Sequence, residues 1–275
     1  MPVQQQHLMK LPNTLLLQLF LLTIPLSYVQ SQLIFPESFV VLLDSTQRFR
    51  GSFTPEVKIQ TQRETLVEIT SITDVAFRVK GSSVVLAQKT EFTAFGDETA
   101  LSGGYLYGKL RNRKDGHLMP EYFGQLQYAD ARGLNLKYAV GANLRYALRR
   151  RIGSGIFIGA GPFYEWERWN YRGVREELRP VDQSPVISEG LRFQVYGSWK
   201  QRFGEKYVLD VSVYHQSAFD EIFTSPRLGS STALSWQISR YLRFGGRYQN
   251  IYDPEPVVPI RRWFHRFIMA FSVTL

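Results

Sequence analysis

Apolar and polar residues alternate strictly over long stretches of this chain. Between residues 134 and 148 every second position is apolar: Leu134, Leu136, Tyr138, Val140, Ala142, Leu144, Tyr146 and Leu148. The positions between them are mostly polar or small, as at Asn135, Lys137, Asn143 and Arg145. Because successive side chains of a β-strand point to opposite faces, this period predicts a strand with one apolar and one polar face.

The same period of two predicts about twelve strands along the chain. They cover residues 53–61, 64–79, 83–95, 100–112, 120–131, 134–149, 154–170, 189–203, 206–219, 229–240, 241–253 and 262–275. Many exceed the ~5–6 residues usual in soluble sheets and match the ~9–11 needed to cross a bilayer at a tilt. Two-faced strands also occur in soluble sandwiches, so the period alone leaves both architectures open.

The last predicted strand carries one almost wholly apolar face. That face holds Trp263, His265, Phe267, Met269, Phe271, Val273 and Leu275. A soluble protein rarely exposes such an edge strand, because its unpaired backbone groups promote aggregation. In a membrane barrel the last strand pairs with the first, and its apolar row contacts lipid. We therefore predict a closing strand that pairs near Phe53, with Trp263 near the outer rim and Leu275 at the periplasmic rim.

The connections between the predicted strands alternate in length. Counting back from the carboxyl end, they are long at 253–261, short at 240–241, long at 219–228, short at 203–206, long at 171–188 and short at 150–153. Outer-membrane barrels have short periplasmic turns and long external loops, so this alternation favours a membrane barrel over a soluble sandwich. Two connections further upstream break the pattern, since 112–119 is too long for a periplasmic turn and 130–133 is tighter than an external loop.

The first 31 residues have the features of a secretory signal peptide. Lys10 supplies positive charge, and residues 15–24 form an apolar run. A run of about ten residues is shorter than the ~20 needed to span a bilayer, so we predict cleavage before Gln32 rather than a membrane anchor. Residues 32–50 then form a periplasmic strand or an inward plug, and residues 51–275 form the barrel.

The composition narrows the functional classes. The chain has no Cys, which excludes disulfides, thiolate metal sites, a Cys nucleophile and a lipid-modified N-terminal Cys. Its net charge is +9, but Lys and Arg are scattered through the alternating segments, so we predict no nucleic-acid partner. Aromatic residues make up 14% of the chain, and abundant Tyr and Trp suit the girdles of a membrane barrel.

Three segments resemble one known family. They are residues 159–169 (GAGPFYEWERW), 231–235 (STALS) and 252–256 (YDPEP) ahead of the final strand. Over residues 51–275 the chain is similar to the salt-induced outer-membrane-protein family, domain-of-unknown-function family 481. The resemblance implies an outer-membrane β-barrel of a diderm bacterium with no known enzymatic activity, and it brings no catalytic residue. Such barrels typically end on an aromatic residue, whereas this chain has Leu275 there and Phe271 nearby.

Glu165 and Glu167 are the carboxylates best suited to a site. They lie two positions apart and therefore share one face of their strand. One hypothesis is a lumenal acid pair for proton chemistry or cation binding. The preferred hypothesis is a lumenal salt-bridge network, because buried charges must be paired. The arginines predicted to join it are Arg145, Arg192, Arg243 and Arg247. Inward cations outnumber inward anions, so an open lumen would attract anions.

Two histidines and one turn are further candidates. His215 and His265 lie on apolar faces, which is more typical of interface residues than of catalysts. Ser212 and Ser217 are close to His215 in sequence, but this spacing does not specify a catalytic dyad. No spacing supports a metal site, and we predict no cofactor. The turn consists of Asp253, Pro254, Glu255 and Pro256. We predict a rigid external turn; the alternative is a contact for a partner or for divalent ions on lipopolysaccharide.

These observations predict an all-β protein, a single up-and-down antiparallel transmembrane barrel in the outer membrane. We predict a non-enzymatic role, as a narrow pore or as a structural, partner-binding barrel. Its expected contacts are outer-membrane lipid, lipopolysaccharide and, during biogenesis, the barrel-assembly machinery. One alternative is a small outer-membrane hydrolase or acyltransferase that uses His215 or the Glu165 and Glu167 pair. Another is a secreted soluble barrel that binds an apolar ligand.

Overall fold

A computed structural model describes residues 48–61, 65–95, 98–112, 116–151 and 153–274. The predicted signal peptide, nearly all of the predicted segment 32–50 and the terminal Leu275 lie outside the described residues. Two short 3-10 turns, Asp130–Arg132 and Glu176–Leu178, occur between strands. Among the described residues, no helix is long and apolar enough to cross a membrane.

Twelve antiparallel strands make up the described part of the chain. They are β1 (Phe49–Thr61), β2 (Thr65–Val79), β3 (Ser82–Phe95), β4 (Glu98–Asn112), β5 (Leu118–Ala129), β6 (Leu134–Arg151), β7 (Ser154–Trp169), β8 (Val186–Phe203), β9 (Tyr207–Ala218), β10 (Arg227–Gln237), β11 (Leu242–Tyr252) and β12 (Trp263–Thr274). Each strand pairs with its neighbours in sequence and β12 pairs with β1, which closes an up-and-down barrel. The predicted fold class is confirmed. The first strand begins earlier than predicted, because Phe49 and Arg50 already pair with β2.

The outer face of the barrel is apolar along every strand. Exposed apolar side chains, one from each strand in order, are Phe53, Ile69, Leu86, Leu106, Tyr122, Val140, Ile158, Leu191, Val213, Leu234, Tyr248 and Phe267. The alternate positions carry buried polar side chains, among them Lys137, Glu165 and Lys200. In lipid only helices and closed barrels satisfy their backbone groups, so an apolar exterior around a closed ring of strands makes this a transmembrane barrel.

One residue predicted to face outward turns inward. The register of β6 and β7 shifts between Leu134 and Leu136. The Leu134 side chain is only 1% exposed and belongs to a buried cluster with Ala129 and Trp169. A β-bulge inserts an extra residue and moves side chains between faces, which a pattern of period two does not reveal.

The barrel has a short-turn rim and a long-loop rim. At the short-turn rim Lys80 and Gly81 join β2 to β3, and their φ angles of 38° and 82° suit a two-residue hairpin turn. The long-loop rim carries the three long connections, residues 170–185, 219–226 and 253–262. All three were indicated by the sequence, and they follow one another around the second half of the barrel.

Two of the long loops fold into the mouth of the barrel. Val174 from the β7–β8 loop and Val258 from the β11–β12 loop are buried in one cluster with Trp169 of the wall. Gly173 lies directly against the Arg132 backbone, since a Cβ at Gly173 would come within 2.4 Å of the Arg132 carbonyl carbon. Packed loop residues therefore narrow the lumen at the long-loop rim.

Among the described residues, the seam between β1 and β12 has the fewest residue pairs of any joint in the ring. The described pairs are Ser52 with Thr274 and Phe53 with Val273, at the place predicted for closure. By contrast, β11 pairs with β12 along its whole length. The two pairs of the seam lie toward the short-turn rim, so that end of the barrel holds the ring closed.

Candidate functional site

Charged side chains fill the lumen near the long-loop rim. The Glu165 carboxylate lies 2.5 Å from Lys137 Nζ and 3.0 Å from Arg192 Nε. Arg227 Nη1 is 3.2 Å from the same carboxylate, and Lys137 Nζ also lies 2.7 Å from Glu167 Oε1. Glu165 and Glu167 share one face of β7 because they lie two positions apart. Both are buried, so this face points into the lumen. We call these five residues the outer network.

The proline-rich turn contributes to the outer network. Asp253 is buried, and its Oδ2 lies 3.1 Å from Arg227 Nε. Glu255 is exposed and accepts a hydrogen bond from Ser225 Oγ at 2.7 Å. The turn lies in the connection between β11 and β12 at the long-loop rim, and its first carboxylate reaches into the lumen and pairs with a cation there.

Further down the barrel a second group closes the lumen. Tyr196 Oη donates to Glu121 Oε2 at 2.5 Å, and Arg111 Nε lies 2.5 Å from Glu121 Oε1. Arg145 Nη1 is 3.3 Å from Tyr196 Oη, and the Arg145 guanidinium lies 3.9 Å from the centre of the Phe157 ring. We call Arg111, Glu121, Arg145, Phe157 and Tyr196 the waist.

Aromatic rings pack tightly around the waist. A void of about 20 Å³ is lined by Tyr107, Phe123, Phe163, Tyr196 and Tyr214 among others. Such a void has room for about one water molecule. The Tyr196 ring fits because residue 159 is glycine, as a Cβ there would come within 2.4 Å of the ring. The waist therefore divides the lumen into two compartments.

The compartment on the short-turn side is a cavity of about 150 Å³, called here the inner cavity. Its charged lining residues are Glu56, Asp74, Lys200, Arg202, Asp210, Arg243 and Arg247. Lys200 Nζ and Asp210 Oδ2 form an ion pair at 2.7 Å. Arg243 Nε donates to the Gln237 side-chain oxygen at 3.1 Å, so this arginine bonds to a neutral group.

A second compartment lies on the long-loop side. Its cavity of about 480 Å³, called here the vestibule, is lined by Arg192, Arg227 and Asp253 from the outer network and its partners. Glu221 and Glu255 line it as well, from the loops. The vestibule and the inner cavity thus lie at opposite ends of one lumen.

The predicted charge network is assembled only in part. The sequence places Arg145, Arg192, Arg243 and Arg247 beside the two carboxylates of β7. Within the described residues, Arg192 contacts Glu165, whereas Arg145 belongs to the waist and Arg243 and Arg247 line the inner cavity. All four face the lumen, but three of them lie at other levels along the barrel axis. The expectation that these three pair with Glu165 and Glu167 is wrong.

Two members of the outer network, Lys137 and Arg227, are not among the site residues predicted from the sequence. The alternation predicts Lys137 on the inward face, and Lys137 lies directly across from Glu167 in the β6–β7 register. Cross-strand pairing of opposite charges is the signal that could have found it. The loop lengths predict Arg227 in a connection, whereas it is the first residue of β10 and points into the lumen.

The candidate dyad of the enzyme alternative lies mostly on the outer face. His215 Nε2 is 3.0 Å from the Ile222 carbonyl oxygen. Ser212 points into the lumen, on the opposite face of β9. In the described part of the chain neither His215 Nδ1 nor Ser217 Oγ has a hydrogen-bond partner, so these two groups do not form a dyad. The same part holds no group of three or more His, Cys, Asp or Glu placed to bind a metal.

The closing strand presents its apolar row to the outside. The exposed members are Trp263, Phe267, Met269, Phe271 and Val273. His265 belongs to the same row, where its Nδ1 lies 2.8 Å from Tyr248 Oη and its ring stacks on Trp263. This cluster of amphipathic rings near the long-loop rim has the chemistry of a membrane-interface girdle.

Several solved membrane-barrel structures resemble this chain in fold. No family model and no curated protein matches the chain, so the family resemblance of the sequence stays a prediction. An outer membrane channel from Pseudomonas putida F1 is 8% identical with a TM-score of 0.48, over 85% of this chain and 98% of that chain. The NanC porin is 7% identical with a TM-score of 0.41, over 83% and 98%. The translocator domain of the autotransporter NalP from Neisseria meningitidis is 7% identical with a TM-score of 0.44, over 82% and 86%. Such scores support no statement about function, and the fold rests on the strand pairing above.

Proposed function

We propose that this chain is a non-enzymatic outer-membrane barrel that acts as a narrow, gated pore for small anions. The observation that carries the proposal is the division of one polar lumen into two cavities by the waist. A small barrel with a purely structural role can fill its interior with packed side chains from end to end. Here charged residues line cavities at both ends, and side chains alone separate them.

The waist suits a gate because it is built from side chains that can rotate. Tyr196 and Arg145 hold it shut: Arg145 donates a hydrogen bond to Tyr196, Tyr196 donates one to Glu121, and Arg145 forms an ion pair with Glu121 at 3.7 Å. Side-chain rotation is a fast and local motion compared with the movement of a folded plug. Displacement of the Tyr196 ring would open the lumen between the outer network and the inner cavity.

The wall formed by β8 to β12 supports the preference for anions. Its lumen-facing charged residues are Arg192, Lys200, Arg202, Asp210, Arg227, Arg243, Arg247 and Arg266. Asp210 is the one anion among them within these described strands. A lumen wall with a large excess of one charge attracts ions of the opposite sign.

We place the barrel in the outer membrane of a diderm bacterium, with the long-loop rim outside. The apolar exterior, the closed ring and the rim asymmetry support this location. The proposal includes a signal peptide of residues 1–31 cleaved before Gln32. Outer-membrane lipid, lipopolysaccharide and the barrel-assembly machinery are the proposed partners.

Conductance across a planar lipid bilayer tests the pore. The purified protein should give small, rarely open channels whose reversal potential in a KCl gradient indicates chloride over potassium. Tyr196→Ala should raise the conductance or the open fraction several-fold, because it removes the ring and the hydroxyl that close the waist. Tyr248→Ala, which removes an outward ring, is the matched control and should leave conductance unchanged. A silent bilayer for both the native protein and Tyr196→Ala would favour a structural barrel instead.

Fractionation tests the location independently of conductance. The protein should sediment with outer membranes, and unheated samples should migrate faster than boiled ones in detergent gels. Recovery from the periplasm without detergent would contradict the membrane proposal.

A further inference from the structure

Three arginines lie near one another at the short-turn end of the lumen, and two of them, Arg202 and Arg243, line the inner cavity. Arg50 on β1, Arg202 on β8 and Arg243 on β11 come close enough for the positive charges of Arg202 and Arg243 to act on Arg50. Arg202 acts on Arg243 in the same way. All three side chains are half-buried. We call them the arginine triad.

The triad has no carboxylate ion pair among the described residues. Arg243 donates to the neutral Gln237 side chain, as described above. Three carboxylates also line the inner cavity: Asp210 pairs with Lys200, whereas Glu56 and Asp74 form no ion pair with a triad arginine among the described residues. The positive charge of the triad is therefore not neutralised by direct pairing within the described part of the chain, and like charges at close range repel one another.

The cavity beside the triad has the size and the donors for a small oxyanion. Arg202 and Arg243 line it together with the hydroxyl-bearing Ser52, Ser235 and Ser272. A guanidinium presents two parallel N–H groups that match the two oxygens of a carboxylate or phosphate. A volume of about 150 Å³ leaves room for such a group with some water.

We infer that the arginine triad is a binding site for a small oxyanion, a phosphate or carboxylate group, at the inner end of the barrel. Two sources could supply that group. One is a free anion that enters through the short-turn rim. The other is the phosphodiester head group of an anionic lipid, because Ser52 of the cavity lies at the sparsely paired seam between β1 and β12. The inference is separate from conduction, since a permanently closed barrel would still bind the anion.

Calorimetric titration of the full-length protein in an uncharged detergent tests the site, with inorganic phosphate as the first probe and acetate as the second. Arg243→Gln and Arg202→Gln should each weaken binding at least about tenfold, because each removes one charge-assisted contact from the lining of the inner cavity. Arg240→Gln is the matched control, since Arg240 is exposed and lies over the Tyr241 ring outside the cavity. Heat-modifiable gel migration of each variant verifies that the barrel still forms.

Native mass spectrometry of protein extracted from phosphatidylglycerol-containing vesicles tests the lipid source. Retained phosphatidylglycerol that is lost in Arg243→Gln supports a head-group site, and phosphate binding without retained lipid supports a free anion. The inference is overturned if neither probe binds, or if binding is the same in the native protein, Arg243→Gln and Arg202→Gln. If the protein binds the anion but shows no conductance, only the proposed pore function is wrong. If it conducts but does not bind the anion, only the proposed triad site is wrong.

Discussion

The outer network and the arginine triad lie in the same lumen but differ in how their charges are paired. Near the long-loop rim, Lys137, Arg192 and Arg227 each contact Glu165, and the two carboxylates of β7 are almost fully buried. At the short-turn end, the triad arginines lie near one another and remain half-buried. A charged side chain that is buried under packed loops must have a partner of opposite charge, whereas a charged side chain that solvent or a ligand can reach need not. The unpaired end of the lumen is thus where an external anion is expected.

Loss of one carboxylate from the outer network should have the largest effect on stability. Glu165→Gln leaves Lys137, Arg192 and Arg227 without their shared partner, so the free energy of unfolding should fall by about 3–5 kcal/mol. Urea unfolding from lipid vesicles, followed by tryptophan fluorescence, measures it. Glu189→Gln removes an exposed carboxylate that bonds to Tyr164 and should cost less than about 1 kcal/mol. Equal losses in both variants would contradict the difference between buried and exposed charge.

Arg132 is the exception within the paired half and offers a sharper test. Its guanidinium lies 4.0 Å from the Phe264 ring, and in the described part of the chain none of its nitrogens has a hydrogen-bond partner. Replacing a poorly compensated buried charge by an apolar side chain of similar size should stabilise the protein. We expect Arg132→Met to raise the free energy of unfolding by about 1–4 kcal/mol at pH 7.

The same variant has a predicted pH dependence. Burial lowers the pKa of Arg132 to about 9, so its charge is present in both folded and unfolded states below that pH. The cost of burying the charge is therefore complete below pH 9. As the pH rises above 9 the folded protein releases the proton first, and the native protein should gain stability relative to Arg132→Met. A difference between the two proteins that stays constant from pH 7 to pH 11 would contradict this.

The waist should show an intermediate effect. Tyr196→Phe removes the hydroxyl that donates to Glu121 and leaves this buried carboxylate with fewer donors. We expect a loss of about 1–3 kcal/mol in the free energy of unfolding, measured by the same urea titration. Tyr248→Phe, on the outer face, is its control. A Tyr196→Phe variant as stable as the native protein would show that the hydroxyl does not hold the waist.

Removing a cation from the triad should have the smallest effect on stability. Arg243→Gln relieves repulsion with Arg50 and Arg202 and breaks no ion pair among the described residues. The free energy of unfolding should stay unchanged or rise by up to about 1 kcal/mol. A loss comparable to that of Glu165→Gln would mean that the two ends of the lumen do not differ as described.

The fold was largely predictable because alternate residues of a barrel strand face lipid and lumen and therefore alternate between apolar and polar. The row from Leu136 to Leu148 and the closing row from Trp263 to Val273 both face outward as the period indicates. Exceptions arise where the local backbone breaks the period, as at the bulge that turns Leu134 inward. Loop lengths added the rim asymmetry, which in this chain is confined to the second half of the barrel.

The site was predictable only to the level of faces. Alternation places Arg145, Arg192 and Arg243 in the lumen, but it does not say at which height each one meets a partner. Height depends on the register and tilt of every strand between two residues, and a closed barrel adds these shifts around the ring. Thus Arg192 reaches Glu165, while Arg243 lies at the other end of the lumen.

The sparse pairing at the seam also predicts where the barrel opens locally. Within the described part of the chain, Phe53 and Val273 form one of two residue pairs between the first and last strands, and both pairs lie near the short-turn rim. Backbone amides farther along β1 and β12 should therefore exchange with deuterium sooner than those of the fully paired β11. Local opening would start at the long-loop end of the seam and spread toward Phe53. The joint between β1 and β12 is then the first part of the ring to open.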